Sequence, residues 1–280
     1  MKIITTLPFL MVSLFTFSQQ KKQYKFDYQV IYQMTYQTDS NNINSTKKEF
    51  LELLTNDSIS LFRSIKAGKL DSAMYSEISK GNTLGPSADF VMGNYSTITY
   101  KIVKEKFKNR ILTFDVPGNV KSSAYYTENI DNLHWVIKND TLNISGLQCQ
   151  QAELNFGNRK WIAWFATQIP IADGPYKFAG LPGLVIQISD QRKFWNFSML
   201  SLNKVQKEAI INFDKRLFPL YMEKKAFFKQ KRNYIDNMLQ MNEASGLIIG
   251  FSSPQDRDMM QKNQKVNALK NNNWIELYKP

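Results

Sequence analysis

The side chains in this chain that could do chemistry gather around one stretch, Trp161-Ile162-Ala163-Trp164-Phe165-Ala166-Thr167-Gln168-Ile169-Pro170-Ile171-Ala172-Asp173-Gly174-Pro175-Tyr176-Lys177-Phe178-Ala179-Gly180-Leu181-Pro182-Gly183-Leu184-Val185. Asp173 and Lys177 are its polar handles, a carboxylate and an ammonium four residues apart in an otherwise apolar run. Pro170, Pro175 and Pro182 each fix a backbone angle, while Gly174, Gly180 and Gly183 admit conformations closed to other residues. That spacing predicts a loop of one shape rather than a flexible lid. Two roles fit it. It is either a rigid connection that plugs one end of a sheet with Phe178 and Leu181, or a preformed ligand or partner surface. The candidate binding residues on the second reading are Trp161, Trp164, Asp173, Lys177, Phe178 and Leu181.

Other chemistries find little support. With one His and one Cys and no paired spacing such as His-x-x-x-His, the chain lacks the ligands of a zinc centre. A nucleophilic Cys149 with His134 as base would need both to meet, but His134 alternates away from Trp135 and Cys149 sits in an apolar strand context. The Gly-x-Ser-x-Gly elbow and both common glycine-rich phosphate loops are absent. Asp131, Asp140, Asp173 and Asp190 all fall at turns; a carboxylate pair acting on glycans stays open, although turn aspartates ordinarily serve the turn itself. No catalytic residue, metal or cofactor is assigned.

The elements that must carry this stretch are mostly strands. Tyr24, Phe26, Tyr28, Val30, Tyr32, Met34 and Tyr36 alternate with polar or smaller residues, which predicts a long strand with one aromatic face buried. Asp39 to Lys48 reads as a loop, and Phe50 to Leu54 with Ile59 to Ile65 as a hairpin around Asn56-Asp57. Lys66 to Ser96 is an excursion from the sheet with a short helix at Asp71 to Ser79. Further strands are predicted at 97–102, 111–116 and 133–138, the last ending at a turn on Asn139-Asp140. Others follow at 147–156, 160–167, 184–188 and 194–202, with a tight hairpin at Gly157-Asn158. After Ala209 the period lengthens: Leu220, Tyr221, Phe227, Phe228, Tyr234, Ile235, Met238 and Met241 recur at helical spacing with a Lys/Arg face, and Pro219 suits a first helical turn. Ser253-Pro254 caps a second, polar helix to about Lys270, and Trp274 to Tyr278 is predicted to dock as a last strand. The fold class is α+β: a large curved antiparallel sheet of about ten strands, a meander or half-barrel, with two C-terminal helices.

Composition bounds the setting. Lys2, the apolar run Ile3 to Phe17 and Ser18 have the form of a secretory signal peptide, which predicts residues 1–18 as the signal and 19–280 as a single β-rich domain. An exported chain with one cysteine forms no internal disulfide, and no disulfide-linked partner is expected. Hydrophobic residues at 43% and aromatics at 13% suit a folded core rather than a disordered chain. The net charge of +12 suits either a solvated surface or polyanionic neighbours such as membrane headgroups. Nucleic acid is not an expected partner, because the aromatics occupy inward strand positions and export removes the opportunity.

Residues 157–165, Ile169-Pro170, 173–178, Gly180-Leu181-Pro182-Gly183-Leu184-Val185 and Ser189-Asp190 together resemble the signature of the GLPGLI family, secreted or periplasmic proteins of Gram-negative bacteria named for that hexamer. Here Val185 stands for its final Ile. Gly146 to Ala152 resembles the strand before the hairpin and Ile275-Glu276-Leu277 the usual ending; the likeness is specific over roughly 133 to 202. It implies a periplasmic or outer-membrane-associated location and a single β-rich domain, and it carries no activity or catalytic residues. Two function classes remain. The first is a non-enzymatic envelope protein that binds an apolar or amphiphilic, lipid-like ligand, or docks an outer-membrane transporter or another envelope protein. The second is an envelope hydrolase with a carboxylate site near the 170–183 loop.

Overall fold

The structure is a computed structural model and describes residues 23–82, 84–118, 123–210, 219–248 and 250–277. The proposed signal segment 1–18 and Tyr278 lie outside the described residues. The strands are β1 (Gln23–Gln37), β2 (Thr46–Thr55), β3 (Ile59–Ser64), β4 (Lys101–Glu105), β5 (Arg110–Asp115), β6 (Ala124–Asn129), β7 (Val136–Ile144), β8 (Leu147–Phe156), β9 (Arg159–Ala166), β10 (Leu184–Asp190), β11 (Trp195–Ile210) and β12 (Leu220–Tyr221). Helices α1 (Ile65–Ser79) and α2 (Ala88–Gly93) interrupt the first half, and α3 (Lys224–Ala244) and α4 (Pro254–Lys270) follow the sheet.

All twelve strands form one sheet in the order β12-β6-β5-β4-β3-β2-β1-β11-β10-β9-β8-β7. It is two meanders, β1 to β6 and β7 to β11, joined where β1 pairs with β11 from Gln23↔Ile210 to Tyr36↔Trp195. The order requires strong curvature. In a flat sheet the ten strand spacings between β6 and β7 would separate them by about 48 Å, yet the six residues 130–135 that connect them reach about 25 Å at most. The sheet therefore curls into an open half-barrel, with antiparallel pairing everywhere except the short parallel β12–β6 contact.

The aromatic face of β1 lies inside this curve. Val30, Tyr32 and Met34 are fully buried, and Tyr32 and Phe197 each meet Phe62 edge-on. At the β8–β9 hairpin Gly157 (φ 61°) and Asn158 (φ 57°) both take the left-handed conformation that a two-residue turn requires.

Several expected elements differ in place. Residues 97–100 are not in a strand: β3 pairs with β4 only from Ile59↔Glu105 to Phe62↔Ile102, and Ser64 then leads into α1, so no neighbouring backbone is offered to them. Asn139-Asp140 is not a turn. It falls in a bulge of β7 between Ile137 and Thr141, and the hairpin closes instead at Ser145-Gly146 (φ 52° and 82°). The loop expected to run to Lys48 ends at Ser45, and β11 continues past Leu202 because β1 supplies it a partner along its length. Strand β6, read from the sequence as no element, carries Tyr126 on its buried face. Pro219 precedes β12 rather than a helix, and α3 begins at Lys224. Residues 274–277 dock without forming a strand, since the Arg159 guanidinium takes the Trp274 and Ile275 carbonyls in place of a ladder.

Helix α3 packs Phe227 and Phe228 on Tyr126, at ring separations of 5.0 and 6.0 Å, and bends at Asn237, where φ is −125°. The Ser253 hydroxyl caps α4 by accepting from the Asp256 amide at 3.2 Å.

Candidate functional site

The Pro/Gly loop between β9 and β10 fills the inside of the curved sheet. Its centre folds on itself: Asp173 bridges Ala179, and the Phe178 amide donates to the Pro175 carbonyl at 3.1 Å. Tyr176 (φ 52°) and Gly180 (φ 90°) hold left-handed backbone there. At Gly183 an added Cβ would overlap the Ala166 backbone, so the glycine is demanded by close approach of two chain segments.

Phe178 is fully buried among Trp135, Phe156, Trp161 and Tyr176, with the Trp161 ring 4.7 Å away. Leu181 is buried in the same cluster, and the Trp135 indole N–H donates to the Ala179 carbonyl at 2.9 Å. Trp161, Asp173, Lys177, Phe178 and Leu181 are therefore gathered on the inner side. Trp164 is not with them. Along β9, Arg159, Trp161, Ala163 and Phe165 are buried at alternate positions, so Trp164 points to the other face and is half-buried there.

Both polar handles are buried in ion pairs made with residues that sequence reading did not assign. The loop wraps around the Lys104 ammonium of β4, which lies 2.5 Å from Asp173 Oδ1 and donates to the carbonyls of Gly174 (2.7 Å) and Tyr176 (3.2 Å). Lys106 stands 3.4 Å from the other carboxylate oxygen, and the Thr55 hydroxyl donates to that oxygen at 3.2 Å. Burial alone would raise the Asp173 carboxyl, but Lys104 and Lys106 override it and hold it below the usual range. Burial lowers Lys104 by more than Asp173 restores. The Gly174, Tyr176 and Phe178 carbonyls converge on its Nζ and fix the side chain in place.

Lys177 enters a second cluster. It bonds Glu276 of the C-terminal segment, Glu128 of β6 at 2.5 Å and the Tyr126 hydroxyl at 2.9 Å. Lys224 of α3 meets Glu128 at 2.5 Å and Glu276 at 2.6 Å, and the Tyr176 hydroxyl donates to Glu276 at 2.6 Å. Two ammoniums and two carboxylates thus neutralise one another, with both Lys177 and Glu276 essentially inaccessible. Burial pushes Glu276 up, yet Lys177 and Lys224 outweigh it and bring its carboxyl down to about 2. For Lys177, burial works against the ammonium, and Glu276 and Glu128 more than restore it, leaving the group above its ordinary value. Lys224, on the Lys/Arg face of α3, is a member of this cluster.

A third buried pair completes the closure. Arg159 bonds Asp190 at 3.0 Å and also binds Asn273, whose amide reaches the Gln37 carbonyl at 2.6 Å. Residues 273–277 form a strap across β1, β9 and the loop. The signal for it in the sequence was Glu276, an acid inside an apolar ending, which a docked segment can bury only against a base.

This arrangement is suited to locking a plug. Of the turn aspartates, Asp173 pairs with Lys104, Asp190 with Arg159, and the Asp131 carboxylate accepts from the Asn109 side-chain amide. His134 is exposed while Cys149 is buried with its thiol directed at the Leu147 carbonyl, so the two form no dyad. Among the described residues there is no group of three His, Cys, Asp or Glu side chains placed to hold a metal ion.

An open concavity lies elsewhere, beside the helical excursion. A groove of about 670 Å³ runs between α1 and the 82–90 segment, lined by Ala73, Ser76, Glu77, Leu84, Pro86 and Phe90 among others. Leu84 is 93% exposed and Met92 76%, and Val91 and Tyr95 are also exposed. The excursion was read as leaving the sheet, and nothing in its alternation marked a groove.

The family described as "Protein of unknown function (Porph_ging)" matches residues 92–187. No curated protein matches the chain. Two solved structures are similar, "Structure of PNGF-II in P21 space group" and "Structure of PNGF-II in C2 space group", each at 14% identity and a TM-score of 0.47, over 74% and 75% of this chain respectively. This chain spans 34% of the length of those proteins.

Proposed function

We propose that the chain is a non-enzymatic protein of the cell envelope, exported by the segment 1–18, that binds an apolar or amphiphilic ligand in the groove beside α1 and α2. The carrying observation is the groove itself: Leu84 and Phe90 offer an apolar wall while Ser76, Glu77 and Ser87 line the same space with polar groups, the pairing an amphiphile needs. Exposed apolar residues concentrated in one segment support a binding face there. The Pro/Gly loop is then the structural centre of the domain, and the ligand face is the excursion. An outer-membrane transporter or other envelope protein is the alternative occupant of the same face. We also take the matched span 92–187, which contains the Gly180 to Val185 hexamer, and the GLPGLI resemblance to describe one unit.

The test is native mass spectrometry of the purified protein with a fatty acid and a lysophospholipid, repeated with Leu84→Asp and Phe90→Asp. One-to-one binding that weakens at least tenfold in both variants supports the reading. Absence of binding, or binding indifferent to both substitutions, overturns it.

A further inference from the structure

Helix α4 has its polarity turned around. A helix that only packs on its own protein puts apolar residues against the neighbour and polar ones in water. In α4 the packed side is polar: Arg257 pairs with Glu243 of α3 at 2.8 Å, and Gln264 bonds the Leu239 amide and the Ile235 and Asp236 carbonyls. The solvent side carries Met259 (59% exposed), Val266 (39%) and Leu269 (75%), and no residue of the helix is buried. At about 100° per residue, Met259, Val266 and Leu269 fall on one arc directly opposite Arg257 and Gln264.

Charge follows the same arc. From Met259 to Lys270 the helix carries Lys262, Lys265 and Lys270 and no acidic residue; Asp258, one residue earlier, borders the same arc, and the three lysines leave that side net positive. Lys262 projects within the apolar arc, and Lys265 and Lys270 border it on either side. Among the described residues none of the three is in an ion pair, whereas Lys104, Lys106, Lys224 and Lys231 are each paired with a carboxylate. Apolar side chains set between lysines with long flexible stems make a face that can lie at the headgroup boundary of a bilayer, with methyl groups below and ammoniums at phosphate level.

We propose that the outward face of α4 docks the protein on an anionic phospholipid surface. The helix lies parallel to the surface; Met259, Val266 and Leu269 enter the boundary region, and Lys262, Lys265 and Lys270 meet lipid phosphates. The net charge of +12 acts in the same direction at longer range. This docking is independent of the α1–α2 groove, so either surface can fail alone.

The experiment is co-sedimentation of the purified protein with vesicles of phosphatidylcholine alone and of an equimolar mixture with phosphatidylglycerol. Binding is expected to the anionic vesicles only, and to decline as salt is raised. Replacing all three lysines, K262Q/K265Q/K270Q, should weaken partitioning about 100-fold, near fivefold for each lysine. Leu269→Asp should weaken it with the three lysines intact. Both variants alter exposed positions, so an unchanged urea midpoint verifies the fold, and an unchanged affinity for the groove ligand separates the two surfaces. Equal binding to neutral and anionic vesicles, full binding by the triple variant, or no vesicle binding with α4-dependent self-association in its place, each overturns the proposal.

Discussion

Replacing Glu276 by Gln tests whether the buried charge cluster holds the plug. The carboxylate is inaccessible and faces two ammoniums, so the amide leaves the inaccessible Lys177 with Glu128 as its remaining carboxylate. Two routes give the size of the effect. Lowering the Glu276 carboxyl from 4.5 to about 2 corresponds to about 3 kcal/mol at 1.36 kcal/mol per unit. Removing one partner of a buried pair generally costs about 3 to 5 kcal/mol. Because the folded value is the lower one, this stabilisation is complete above about pH 4.5 and is lost as pH falls toward 2. Urea unfolding at pH 7 should therefore place E276Q about 3 kcal/mol below the parent, with the gap narrowing steadily between pH 4.5 and 2. Pairing the change with Lys177→Met should recover part of the loss, since no uncompensated charge then stays buried. A difference under about 1 kcal/mol at pH 7, or an unaltered acid slope in the variant, would refute the cluster as the lock.

Two further outcomes follow from the same packing. Gly183→Ala places a methyl group on the Ala166 backbone, where neither segment can yield cheaply, and should lower stability by about 2 kcal/mol or more in the same urea assay. Cys149 is buried and its thiol is pushed up by burial; a thiol reagent such as dithionitrobenzoate should leave the native protein unlabelled at pH 8 and label it fully in urea, and rapid native labelling would contradict the packing of β8.

What the sequence made legible was local. The alternation of β1, the Gly157-Asn158 turn and the Ser253 cap each depend on neighbours within a few residues, and each stands where residue type alone would put it. The rigidity of the 169–183 loop was legible for the same reason, since proline and glycine act on their own backbone. The partners of that loop were not. Lys104, Glu128, Lys224 and Glu276 lie between about 50 and 100 positions from Lys177 or Asp173, and nothing short-range distinguishes a lysine that will be buried from one in water. One inference was still available. A loop with two charges and a fixed apolar shape must either expose those charges to a ligand or neutralise them, and burial without neutralisation costs several kcal/mol for each ion. An acid embedded in an otherwise apolar ending poses the same choice from the other side. Glu276 and Lys177 are each other's solution, which explains why the last described residues of the chain, rather than a strand beside it, close over the loop between β9 and β10.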